Sequence, residues 1–147
     1  ENAGDWLLNA AITRGARHYG PNYRDGLPPD DPGFRDEEIG VGLCLGHLRD
    51  EPMYIRAAAQ VLTSPTTNPA VVARLAEMER CDAVLFHVAK ACERVNPALE
   101  PWASLRSLLH PRTMPREGIL PHWTRFVSMT GVTREGGGRT VWLMRNE

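Results

Sequence analysis

The sequence predicts a mainly α-helical fold, with antiparallel helical hairpins stacked as an α-solenoid or an orthogonal bundle and a small β-hairpin at the C-terminal end. Three observations carry this. First, apolar residues recur at a spacing of thirty: Leu45, Leu75 and Leu105 fall in register, as do Leu48, Met78 and Leu108. Val41 meets Val71, Ile55 meets Leu85, Ala58 meets Val88 and Ala59 meets Ala89. Self-similarity at a fixed period of this size marks stacked helical hairpins. Second, Asn68-Pro69 and Asn96-Pro97 punctuate the chain at nearly the same interval. Asn suits a helix cap and Pro the first helical position. Third, the pattern changes after His110, where prolines interrupt and β-branched and aromatic residues take over.

The elements follow in order. Asp5 is read as an N-cap opening a helix to about Arg17, with a stripe through Trp6, Ala10 and Thr13 and with Leu7, Ala11 and Arg14 beside it. Residues 20–36 read as a loop, because Pro21, Pro28, Pro29 and Pro32 fix φ and remove donors. A second helix is expected from Asp36-Glu37-Glu38, whose charges suit a helix N-terminus, to about Arg49. Gly40, Gly42 and Gly46 within it imply close packing against a neighbour. A third runs from Pro52 to Leu62, with one buried stripe through Ile55, Ala58, Ala59 and Leu62. A fourth starts after Asn68 with Val71, Leu75 and Met78 facing inward. A fifth follows Asp82 and buries Leu85, Val88, Ala89 and Cys92. A sixth spans Pro101 to about Leu109 through Trp102, Leu105 and Leu108. Pro111, Pro115 and Pro121 then forbid a long helix. Residues 125–132 and 140–145, joined through Gly136-Gly137-Gly138, read as the β-hairpin.

The length of 147 residues suits a single domain in three parts. These are an N-terminal helix and loop (1–36), helical repeats (37–110), and a proline-rich connector with the hairpin (111–147). Hydrophobic residues at 42% and charged residues at 24% are ordinary for a globular chain, and no apolar run is long enough to span a membrane. The net charge of −1 divides unevenly. Residues 1–100 hold 10 Lys+Arg against 15 Asp+Glu, and residues 101–147 hold 7 Arg against 3 Glu. Lys90 is the sole lysine, a bias that a GC-rich bacterial genome explains without function. Cys44, Cys81 and Cys92 are odd in number and form no C-x-x-C pair. They read as small buried hydrophobes of a reducing, cytoplasmic compartment, with no metal and no cofactor implied.

The strongest polar cluster is His110, Arg112, Arg116, His122 and Arg125. Guanidinium forks and imidazoles in that density can hold a phosphate, a carboxylate or a partner's acidic surface. The opposing reading is a solvated connector paired with the acidic remainder of the chain. His18, His47 and His87 sit singly, and Asp30, Asp31, Asp36, Glu37 and Glu38 lack the spacing of a calcium loop. Trp102, Trp123 and Trp142 among arginines could stack bases, but a core role is favoured. No zinc, phosphate-loop or nucleophile-elbow motif is present.

Pro52 followed by Ile55-Arg56-Ala57-Ala58-Ala59 resembles the first helix of a HEAT hairpin, and Asn68 to Ala76 is similar to the second helix of a leucine-rich-variant unit. The likeness covers residues 38–109. It departs at Phe86, which stands where the second copy should repeat Arg56. Such resemblance implies stacked helices and a binding surface, and nothing about activity. The expectation is therefore a non-enzymatic scaffold that binds another protein or itself. The alternatives are a nucleic-acid-binding or nucleic-acid-processing repeat protein using the Arg-rich C-terminal third, and a small enzyme with an anion site at 110–125.

The prolines, glycines and charges of residues 20–36 also carry a prediction about cleavage. Limited proteolysis of the native chain should cut first within 20–36 and spare 52–109, as peptide mapping of the earliest fragments would show. First cuts inside 52–109 would overturn these boundaries.

Overall fold

A computed structural model describes residues 3–14, 33–46, 48, 52–64, 66–95, 97 and 101–111. They form α1 (Ala3–Thr13), α2 (Asp36–Gly42), α3 (Pro52–Leu62), α4 (Pro69–Met78), α5 (Asp82–Val95) and α6 (Trp102–Leu108). No strand occurs among the described residues, so the chain is mainly helical there. Of the expected loop over 20–36, residues 33–35 are described and are non-helical, and α2 has begun by Asp36; residues 20–32 and the expected β-hairpin lie outside the described residues.

The helices lie in two rows. Helices α2, α4 and α6 pack consecutively in one, and α1, α3 and α5 in the other. Hydrogen bonds fix their directions. The Asn68 N–H, at the start of α4, donates to Glu37 Oε2 near the start of α2 at 2.8 Å. Trp102 Nε1, at the start of α6, donates at 3.0 Å to Thr63 Oγ1, which directly follows α3 in the connection that leads to α4. The three N-termini therefore share one edge, and α2, α4 and α6 run the same way. In the other row, Tyr54 OH near the start of α3 donates to Asp5 Oδ1 near the start of α1 at 3.1 Å. The Arg14–Asp36 ion pair, 3.1 Å long, joins the end of α1 to the start of α2, so the two rows are antiparallel.

Local chemistry explains most helix boundaries. Asn68 caps α4 as expected, its Oδ1 accepting from the N–H groups of Ala70 (3.0 Å) and Val71 (3.4 Å), with Pro69 at the first helical position. At the other end of α4, the Arg80 N–H returns to Glu77 O and the Cys81 N–H to Ala76 O, and Arg80 sits at φ +60°. This is the six-to-one and five-to-two closure that glycine usually makes, here made by arginine. Asp5 proves not to be a cap. Helix α1 begins at Ala3, which places Asp5 in the first turn, where a carboxylate still favours the helix terminus.

Helix α2 ends at Gly42, well before the expected Arg49. Its last turn tightens as Cys44 N–H bonds Val41 O and Leu45 N–H bonds Gly42 O, and Gly46 then turns at φ +44°. The three glycines do different things. A Cβ on Gly40 would lie 2.4–2.8 Å from the side-chain carbons of Leu62, so α2 and α3 touch there through the missing side chain. A Cβ on Gly42 would meet Leu7 at a tight 3.3 Å, so the Leu7 side chain would have to give by a few tenths of an ångström, and one on Gly46 would meet nothing. The packing reading therefore holds at Gly40, while Gly46 serves a turn.

The buried stripes match the sequence on α3 and α5, where Ile55, Ala58, Ala59, Leu62, Leu85, Val88, Ala89 and Cys92 are all in the core. Helix α3 goes further, because every residue from Tyr54 to Ser64 is buried. Two expectations are corrected. Helix α4 is rotated, burying Val72, Ala73 and Ala76 in place of Val71, Leu75 and Met78. Leu75 only packs partly against the core, and Met78 is 68% exposed. On α6, Trp102, Leu105 and Leu109 are buried, whereas Leu108 is 44% exposed. Helix α4 packs chiefly between α2 and α6, and that pairing turns Val72, Ala73 and Ala76 inward; α6 packs against α5 and α4 through Trp102 and Leu105. Of the leading register row, Leu105 is buried, while Leu45 and Leu75 are partly buried against the core.

Gly40→Ala should destabilise the protein. Helix propensity gains about 1 kcal/mol, but overpacking against Leu62 costs about 1–3 kcal/mol. Urea denaturation should show a lower midpoint for Gly40→Ala than for the unaltered protein; equal midpoints would remove Gly40 as the α2–α3 contact.

Candidate functional site

Chemistry-bearing side chains gather along the edge that holds the N-termini of α2, α4 and α6. The acidic run Asp36-Glu37-Glu38 begins α2, and each carboxylate has a structural partner. Asp36 pairs with Arg14 at 3.1 Å. Glu37 is buried and accepts from the Asn68 N–H at 2.8 Å. Glu38 Oε1 accepts from the Arg35 N–H at 2.9 Å. The run thus starts one helix and ties it to the next. Among the described residues, no group of three or more His, Cys, Asp or Glu could hold a metal ion.

Thr63 and Trp102 complete this edge. The Thr63 hydroxyl donates to Ala59 O at 2.7 Å and accepts from Trp102 Nε1 at 3.0 Å. The indole is fully buried, which places Trp102 in the core rather than among exposed stacking aromatics. A buried indole N–H needs an acceptor, and a threonine hydroxyl already bonded to its own helix supplies one in fixed orientation.

Of the expected anion-site residues, His110 is exposed in the segment after α6. Arg112, Arg116, His122 and Arg125 lie outside the described residues, as do Trp123, Trp142, His18 and His47. His87 is half-buried on α5; burial, and then the charge of Lys90, lowers its pKa below the usual histidine value. It stands beside Phe86 in an edge-on contact at 5.8 Å. Lys90 Nζ lies 5.7 Å from the Phe86 ring centroid, a cation–π arrangement at the surface. Cys44, Cys81 and Cys92 are buried free thiols, and burial pushes the Cys92 thiol well above its ordinary pKa. A thiol held protonated is a poor nucleophile, so Cys92 acts as a small hydrophobe.

Sequence reasoning missed several buried polar residues: Arg56, Gln60, Glu37, Thr63, Ser64 and Thr67. One signal was present for two of them. Arg56 and Gln60 lie away from the apolar stripe of α3 and flank the run Ala57-Ala58-Ala59. Small residues on both sides of a helix allow neighbours to approach all round it. No helix among the described residues is long and apolar enough to cross a membrane.

Compared with protein families, with curated proteins and with solved structures, the chain matches none.

Thr63→Val keeps the shape of the side chain and leaves the Trp102 N–H buried without its acceptor. It should cost about 1–3 kcal/mol of unfolding free energy. A double-mutant cycle with Trp102→Phe should return a coupling of about 1 kcal/mol; strictly additive costs would show that the hydrogen bond carries no stability.

Proposed function

We propose that this chain is a non-enzymatic helical-repeat module of the HEAT-like kind that binds another protein in the cytoplasm. The observation that supports this reading most is the equivalence of residues thirty apart. Ile55 and Leu85, Ala58 and Val88, and Ala59 and Ala89 are each buried at matching positions of α3 and α5, neighbours in one row. A unit that cannot bury its stripe alone buries it against the next, and the stack gains an extended outer surface with each unit. Surfaces of that kind serve recognition. In this reading the chain is an α-solenoid, and the C-terminal β-hairpin closes its far end.

The chemistry of the described residues agrees. The carboxylates that cluster are committed to Arg14 and to backbone N–H groups, and the thiols are buried. These carboxylates and thiols therefore serve the fold. The outer face of α5 offers Lys90 and Arg94, both exposed and one turn apart, as contacts for an acidic partner surface.

The test is affinity capture with the full chain and with a Lys90→Glu, Arg94→Glu variant, read by quantitative mass spectrometry. The same two proteins are titrated with mixed-sequence nucleic acid at rising salt. A protein partner depleted at least tenfold by the variant supports the proposal. Nucleic-acid binding whose affinity falls steeply with salt would replace it by the nucleic-acid reading.

A further inference from the structure

Helix α4 carries a second apolar stripe, which the fold leaves partly uncovered. Val71, Leu75 and Met78 recur at spacings of four and three, so they share one side of the helix. The core takes the neighbouring side instead, through Val72, Ala73 and Ala76. Val71 and Leu75 stay half-buried, and Met78 is 68% exposed. Helices α2, α5 and α6 pack against α4, and none of them closes over Met78.

The charges beside this stripe are balanced. Arg74, Glu77, Glu79 and Arg80 are all exposed, two of each sign. A border of that kind selects neither an acidic nor a basic partner, because each sign has an equal share of the other beside it. It fits a surface that carries the same charges in the same order, which is a second copy of this chain. In the heptad notation of paired helices, the spacing of four and then three puts Val71 at d, Leu75 at a and Met78 at d. Arg74 then falls at g, and Glu79 at e of the next heptad. In a parallel pair of helices those two positions face each other across the seam. Two-fold symmetry makes the contact twice, Arg74 to Glu79 and Glu79 to Arg74. An antiparallel pair would set Arg74 against Arg74, so the charges also fix the direction.

We propose that α4 is a self-association surface. Two copies of the chain meet through parallel α4 helices, with Val71, Leu75 and Met78 in the seam and Arg74 of each copy facing Glu79 of the other. The seam is one helix of 10 residues, so the dimer is weak and its population depends on concentration. The surface is separate from Lys90 and Arg94 on α5, so the fate of the partner-binding reading does not decide it.

Sedimentation equilibrium of the full chain, from about 1 μM to about 1 mM, tests this at low salt, where surface charges are least screened. The unaltered chain should pass from monomer to dimer and no further, since a two-fold contact closes on itself. Arg74→Glu alone and Glu79→Arg alone each set like charges across the seam, and each should weaken the dimer at least about tenfold. The double variant Arg74→Glu, Glu79→Arg should restore it. All these positions are exposed, so thermal melts of the dilute proteins should coincide. A monomer at every concentration overturns the proposal, as do open-ended oligomers. So does a dimer that the single exchanges leave unchanged, or one that the double exchange fails to restore.

Discussion

The complete enclosure of α3 is the constraint on which the other helices depend. From Tyr54 to Ser64 this helix has no solvent-facing residue. A helix can be surrounded only if its neighbours approach closely, and Ala57, Ala58 and Ala59 permit that by keeping its middle narrow. Gly40 extends the same logic to the partner helix, where a missing Cβ admits Leu62. Helix α1 then packs along one side of α3, α2 along another, and α5 follows in the same row. Enclosure also takes Arg56 and Gln60 out of solvent, and burying polar side chains is costly unless they are hydrogen-bonded. The centre of this small protein is therefore polar as well as apolar, which limits which neighbours fit around it.

A second constraint works at the edge. Helix termini leave N–H groups without partners inside the helix, and the chain meets these needs across elements. Glu37 accepts from the backbone N–H of the residue that caps α4, and Thr63, directly after α3, separately accepts from the side-chain indole at the start of α6. These contacts join residues far apart in sequence and hold three helix starts level. They also explain why an acidic run that could be read as a ligand set is structural here. Each carboxylate is occupied by a cation or a backbone donor.

Local signals were legible where the physics is local. Asn68-Pro69 marks a cap and a first helical position by chemistry confined to four residues, and the cap forms as read. The stripe of α5 follows from periodicity alone, since Leu85, Val88, Ala89 and Cys92 must share a face. Helix α2 shows the converse. Its glycines were visible, but only the approach of Leu62 and the turn at Gly46 separate a packing glycine from a helix-ending one. The anion-site residues were legible only as composition. His110 is exposed after α6, and the described residues bring no partner to it that the sequence could have revealed.

By itself, the sequence determined that the described residues are mainly helical, where α3, α4 and α5 begin, and which residues of α3 and α5 turn inward. These depend on capping, proline geometry and a 3.6-residue period, all acting within one or two turns. The tertiary structure alone decided how far α4 is rotated, that α3 has no outer face, and that Leu48 is covered while Met78 and Leu108 are not. Periodicity gives the angle between residues on one helix. It carries no information about which neighbour lies at which angle, and that is set by the packing of α1, α2 and α6 around it.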